Sequence, residues 1–161
     1  MTDMLVKLYN LKALDPMIQQ QSEQGIHIKR ALAAEKHLIL AWIREHFSEY
    51  WVSECEAAIT QMPVKVFIAI ENGELIGFAC YDATRLGFFG PTGVSEATRG
   101  RGTGAALLMA CLHDMWAQGY GYAIIGGVGP IEFYEKISGA TVIPDSTPGV
   151  YAHMLRVKKD S

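Results

Sequence analysis

The chain has 161 residues, of which 50% are hydrophobic, 10% aromatic and 19% charged. That length suits one domain, able to bury roughly two-thirds of the surface its unfolded chain exposes, and the composition excludes a disordered or collagen-like polymer. Lys and Arg number 14 against 17 Asp and Glu, a net charge of −3, so no polycationic nucleic-acid surface is expected. The longest clean apolar run, residues 105–112, is far short of the ~18 residues a membrane span needs. The opening MTDMLVKLYN lacks the charged-then-apolar pattern of a signal peptide. Cys55, Cys80 and Cys111 lie far apart in apolar contexts. They read as reduced core residues of a cytoplasmic protein, not as a disulfide or zinc framework.

In chain order, residues 4–9 read as a short strand. Asp15-Pro16 signals a helix start, and the segment 13–24 closes at Gly25. Residues 1–24 are read as an N-terminal extension and 25–161 as the domain itself. Residues 26–29 alternate apolar and polar, as a strand does. Leu38, Ile39, Trp42, Ile43 and Phe47 recur at helical spacing, and so do Trp51, Val52, Cys55, Ala58 and Ile59. Two strands follow at 64–70 and 75–81, joined by an Asn72-Gly73 hairpin turn. A third, 86–94, is interrupted by Gly90-Pro91-Thr92-Gly93. Residues 102–118 form the strongest helix, stopped by Gly119. Then come a buried strand at 122–126, a short helix at 130–137, and final strands at 141–143 and 150–157. The expected fold is a single α/β domain with a mixed, mostly antiparallel central sheet and flanking helices.

The segment with chemical content runs from Val94 to Gly104. It joins the interrupted strand to the strongest helix. Gly100, Gly102 and Gly104 let the backbone turn tightly and bring its N–H groups towards one point. The helix start adds unpaired N–H groups and about half an elementary charge of positive dipole. Such a place binds phosphate, and Arg99 and Arg101 add charge at the same mouth. A Walker A loop needs a lysine that is absent here. Gly100, Gly102 and Ala105 formally meet the dinucleotide fingerprint, but the strand it should lead to, 122–127, carries no ribose-binding acid.

Arg99, Gly102 and Gly104 spell R-x-x-G-x-G ahead of an apolar helix. This resembles the pyrophosphate motif of the GNAT superfamily of N-acetyltransferases. Residues 26–157 also follow that superfamily's order of elements. Phe133-Tyr134-Glu135-Lys136-Ile137-Ser138-Gly139-Ala140 resembles its second hallmark, with Ala140 where an aromatic residue is common.

The resemblance implies a GNAT fold with two splayed central strands and acetyl-coenzyme A as donor. The pyrophosphate would lie on Arg99, Gly100, Arg101, Gly102, Thr103 and Gly104. Pro91 cannot donate a ladder hydrogen bond, and Gly90 and Gly93 invite a bulge. The pantetheine amides could pair with the strand edge so exposed, bringing the thioester near Thr92 and Val94. Tyr134 matches the tyrosine that many GNAT enzymes hold near the coenzyme sulfur, which implies a general acid.

Residues 86–94 offer no carboxylate as base, leaving Asp82, Glu96, Glu135, His153 or a water chain. Between Arg44 and Lys65 stand Glu45, Glu49, Glu54 and Glu56 with no Lys or Arg. These could draw in a cationic amine, and a solvated helix face explains them equally well. Trp42 and Trp51 could line a pocket, although their spacing says core first. The five histidines show no paired metal spacing, so no metal is expected.

The expected function is transfer of acetyl from acetyl-coenzyme A to a primary amine, on a small molecule or a protein. No nucleic-acid or membrane partner is expected, and a homodimer is compatible with the sequence. The rivals are a non-catalytic acyl-coenzyme A sensor and a dinucleotide-dependent oxidoreductase.

Overall fold

The computed structural model describes residues 1–159; residues 160 and 161, which end the expected domain, lie outside the described residues. Seven strands form one sheet: β1 (Thr2–Lys7), β2 (Ile26–Arg30), β3 (Val66–Glu71), β4 (Glu74–Tyr81), β5 (Phe88–Val94), β6 (Tyr122–Val128) and β7 (Thr141–Ile143). Their order across the sheet is β2-β3-β4-β5-β6-β1-β7. Every neighbouring pair is antiparallel except β5 with β6. Five helices flank it: α1 (Asp15–Glu23), α2 (Lys36–His46), α3 (Glu49–Ile59), α4 (Thr103–Gln118) and α5 (Ile131–Ser138). Among the described residues no helix is long and apolar enough to cross a membrane.

The period of two along β4 explains why there are two cores. Ala79 and Tyr81 pack in the core that contains α4, whereas Phe78 and Cys80 pack in the core that contains α2 and α3; Ile76 joins the α4 side because the β3–β4 register shifts between Leu75 and Gly77. Six of the eight β4 residues are buried, because helices cover both faces. α4 is correspondingly apolar around most of its circumference, with ten buried residues from Thr103 to Met115. All three cysteines are free and buried, as core residues.

The structure departs from the sequence reading at both ends. β1 does not lie outside the domain as an extension. It sits between β6 and β7, paired antiparallel to each, with Met4 and Val6 fully buried. α1 packs on β2 and α4. Residues 1–24 are therefore built into the sheet and its cover. The expected last strand, 150–157, does not form: Gly149–Tyr151 is a 3-10 turn, and residues 154–159 have no regular structure. β1 already fills the place beside β6 and β7, so no interior edge is left for a returning chain.

The parallel pair is the break in the sheet. β5 and β6 are in register only at Phe88–Ile124 and Phe89–Ile125. Beyond Phe89 the β4–β5 register slips by one residue at Gly90-Pro91, the bulge expected from those residues. From there β5 stays with β4 and β6 diverges from it. The remaining β5 edge carries backbone donors and acceptors without a strand partner.

Candidate active site

A cleft of about 1130 Å³ fills the gap between β5 and β6 and runs to the start of α4. Gly100 and Gly102 line it with φ of +84° and +81°, a left-handed backbone that side chains resist. Gly102 caps α4, so the N–H groups of Thr103 and Gly104, in its first turn, meet no intrahelical carbonyl. Arg99 lines the cleft at this mouth, its Nε donating to the Val94 carbonyl at 3.3 Å. Thr92 and Val94 line the cleft from β5, and the Thr92 hydroxyl donates to the Phe78 carbonyl at 3.1 Å.

Arg101 does not point there. Its guanidinium donates to both carboxylate oxygens of Glu71 on β3, at 3.0 and 2.5 Å, and to the Gln24 carbonyl at 3.2 Å. The hydrogen bond from Arg101 holds the Glu71 carboxyl below its ordinary range. Arg101 thus fastens the loop to the sheet, and Arg99 is the Lys or Arg facing the cleft among the described residues.

α1 supports the loop from behind. Gln21 is fully buried. Its amide donates to the Arg101 carbonyl at 2.9 Å and accepts from the Thr103 hydroxyl at 2.7 Å. Gln24 donates to the same carbonyl at 3.0 Å. Sequence reasoning missed this role, since a run of glutamines reads as a solvated helix face. The signal available was Gln21 standing amid Met17, Ile18 and Gly25, on the side of α1 that turns towards the domain.

Tyr134 stands at the apex of the splay. Its ring meets Phe89, the last residue of β5 paired with β6, edge-on at 6.4 Å, and Phe133 at 5.1 Å. It lines the cleft and is 7% exposed. Burial pushes its phenol above the ordinary value of 10, with no charged neighbour adding to the effect. The hydroxyl therefore keeps its proton at neutral pH and can donate it.

The side chains expected as candidate bases lie elsewhere. Asp82 is buried and spent on structure: it pairs with Lys65 at 2.6 Å, accepts from Tyr120 at 2.5 Å and accepts from the Gly87 N–H at 2.7 Å. Glu96, Glu135 and His153 are exposed and do not line the cleft. Glu54 does line it, as do Trp51 and Phe47. Trp51 and Glu54 are three residues apart on α3, hence on one face. That spacing was the signal for a carboxylate beside the apolar stripe. Trp42 packs instead on the core under α2 and α3. The end of the Phe47 ring rests over Gly93 of β5, where a Cβ would come within 2.4 Å of it. Among the described residues, no group of three or more His, Cys, Asp or Glu is placed to hold a metal ion.

Residues 33–140, two-thirds of the chain, match the model of the acetyltransferase (GNAT) family. The chain belongs to that family. No curated protein matches it. Among the solved structures that share this fold are three proteins of low sequence identity. One is the GCN5-related glucosamine N-acetyltransferase region of a fungal multi-domain GH3 beta-N-acetylglucosaminidase, with TM-score 0.72 and 16% identity, covering 88% of this chain and 19% of that one. A second is a GCN5-related N-acetyltransferase from Sphaerobacter thermophilus, with TM-score 0.67 and 20% identity, covering 88% and 48%. A third is a ribosomal-protein-alanine N-acetyltransferase from Brucella melitensis biovar Abortus 2308, with TM-score 0.57 and 15% identity, covering 82% and 99%. This chain spans about a fifth and about half of the first two proteins. Within the GNAT match lie the glycine turn, the splayed strands and Tyr134; β1 and α1 precede it.

Proposed function

We propose that the protein transfers the acetyl group of acetyl-coenzyme A to a primary amine by direct attack. The observation that carries this reading is continuity: one cleft joins the N–H groups at the α4 start to the unpartnered edge of β5. Pyrophosphate fits the first, through convergent N–H groups, the helix dipole and Arg99. A chain bearing two amides fits the second, as a surrogate strand. Arg101 contributes its backbone and its anchoring to Glu71.

The chemistry then divides among the chain's own residues. An alkyl ammonium has a pKa ~3 units above neutrality, and making it neutral costs about 4 kcal/mol. One proton must leave before the nitrogen attacks. The C–N bond forms, the C–S bond breaks, and the nitrogen sheds a second proton. Tyr134 supplies a proton to the departing thiolate and regains one from solvent, leaving one net proton released. We place the reaction in the cytoplasm, in keeping with three free, buried cysteines.

Thiol release from acetyl-coenzyme A across an amine panel tests the proposal. Acceptor-dependent release supports it. A non-catalytic acyl-coenzyme A sensor is the second reading, favoured by a β5 without a carboxylate. Coenzyme binding without release on any amine would establish the sensor instead.

A further inference from the structure

The end of the cleft away from α4 has a composition of its own. Glu49 is paired with Arg44 at 2.6 Å, Glu56 is paired with Lys36 at 2.9 Å, and Glu45 is exposed. Glu54 is the one of these four that turns into the cleft. Among the described residues no Lys or Arg pairs with it, and no second carboxylate lines the cleft. Its carboxylate accepts a hydrogen bond from Thr84, so it is held in place without being neutralised. The Tyr151 phenol sits close enough to feel both groups. Burial and the Glu54 charge push it up, and hydrogen bonding with Thr84 opposes them.

The walls around this carboxylate are apolar. Trp51 lies one turn before it and packs on Phe47 at 4.9 Å. Pro148 and Tyr151 also line the cleft. The Tyr151 position is fixed from beneath: a Cβ at Gly126 would come within 2.5 Å of its hydroxyl oxygen, so the ring rests on a strand whose side chain is missing there.

From this arrangement we infer that the far end of the cleft is the acceptor subsite, selecting a compact monoamine with an apolar body, an arylalkylamine. Its ammonium lies on Glu54 and its body lies between Trp51 and Tyr151. The inference rests on the acetyl-transfer reading above and supplies its substrate class. A single unneutralised carboxylate beside aromatic faces suits one cation. A polyamine would press further charges against apolar walls with no anion to meet them, and an aminosugar would press hydroxyls against them with too few hydrogen-bond partners, penalties that reject both. A peptide amine would bring backbone amides that these walls leave unpaired. One ammonium proton passes to Glu54 and on to water, and the neutral nitrogen is then the nucleophile.

The test is calorimetry on the full chain loaded with coenzyme A, titrated with phenylethylamine, phenylethanol and spermidine. Phenylethylamine should bind roughly 30-fold more tightly than phenylethanol, its uncharged counterpart, and more tightly than spermidine. Glu54→Gln should lose about the same factor for the amine while holding coenzyme A within about twofold. Equal binding of the amine and the alcohol overturns the inference, as does tighter binding of spermidine. So does a Glu54→Gln protein that binds the amine as the parent does. The alcohol comparison needs no mutation and stands even if Glu54→Gln does not fold. If the parent chain binds no coenzyme A, the acetyl-transfer reading falls and takes this inference with it. If coenzyme A binds and the amine arms fail, only the inference falls.

Discussion

The buried side-chain amide of Gln21 donates to the carbonyl oxygen of Arg101 at 2.9 Å, tying the first helix of the chain to the glycine turn 80 residues later. The same amide accepts from Thr103 at 2.7 Å. The turn's shape is thus set partly from outside the family match. Replacing Gln21 by Ala removes both bonds and strands a buried hydroxyl, which costs about 2 kcal/mol. Chemical unfolding should show that loss, and acetyl-coenzyme A affinity should fall about tenfold as the turn loosens. Full stability with unchanged affinity would show that α1 does not brace the turn.

Met4 tests the place of β1. Its side chain is fully buried in the core shared with α4. Met4→Ala should cost about 2–5 kcal/mol in denaturant unfolding. A loss below about 0.5 kcal/mol, ordinary for a surface site, would put β1 outside the sheet.

Tyr134→Phe keeps the ring that packs on Phe89 and Phe133 and deletes the proton donor. Turnover should fall by about 10²–10⁴, the usual contribution of a positioned acid, with acetyl-coenzyme A affinity unchanged. Retained turnover would remove Tyr134 from the chemistry.

The Glu71–Arg101 pair makes a pH-dependent contribution of known sign. Arg101 lowers the folded-state pKa of Glu71 below its ordinary 4.5. The stability from this pair is therefore fully present above the unfolded value and is lost as pH falls through the folded one. Thermal melts should show the parent losing stability with acid below about pH 4.5 more steeply than Glu71→Gln. Parallel acid limbs would show that the pair adds nothing.

Local features were legible in the sequence; long-range ones were not. The glycine turn follows from residue type, because only glycine takes the φ values at Gly100 and Gly102 cheaply. The bulge at Gly90-Pro91 follows from a missing donor and a missing side chain. The seat of β1 does not follow from its six residues, since alternation reveals a strand but not its neighbours. Residues 150–157 likewise read as a final strand and yet join no sheet, β1 having taken the interior place. Arg101 read as a free cation because Glu71, which neutralises it, is 30 positions away. Glu54 and its three neighbouring glutamates look alike in the sequence, and only the fold turns one of them inward.

The clamp itself is tested most directly at Gly102. A valine there must adopt a left-handed φ and place its Cβ 3.3 Å from the Gln20 and Gln21 amides, which displaces the turn. Acetyl-coenzyme A should be titrated calorimetrically into the parent and Gly102→Val, both shown folded by thermal melts. The expected result is clear binding by the parent and affinity at least about tenfold weaker in the variant. Equal affinities in two folded proteins would contradict a pyrophosphate held by the backbone of this turn.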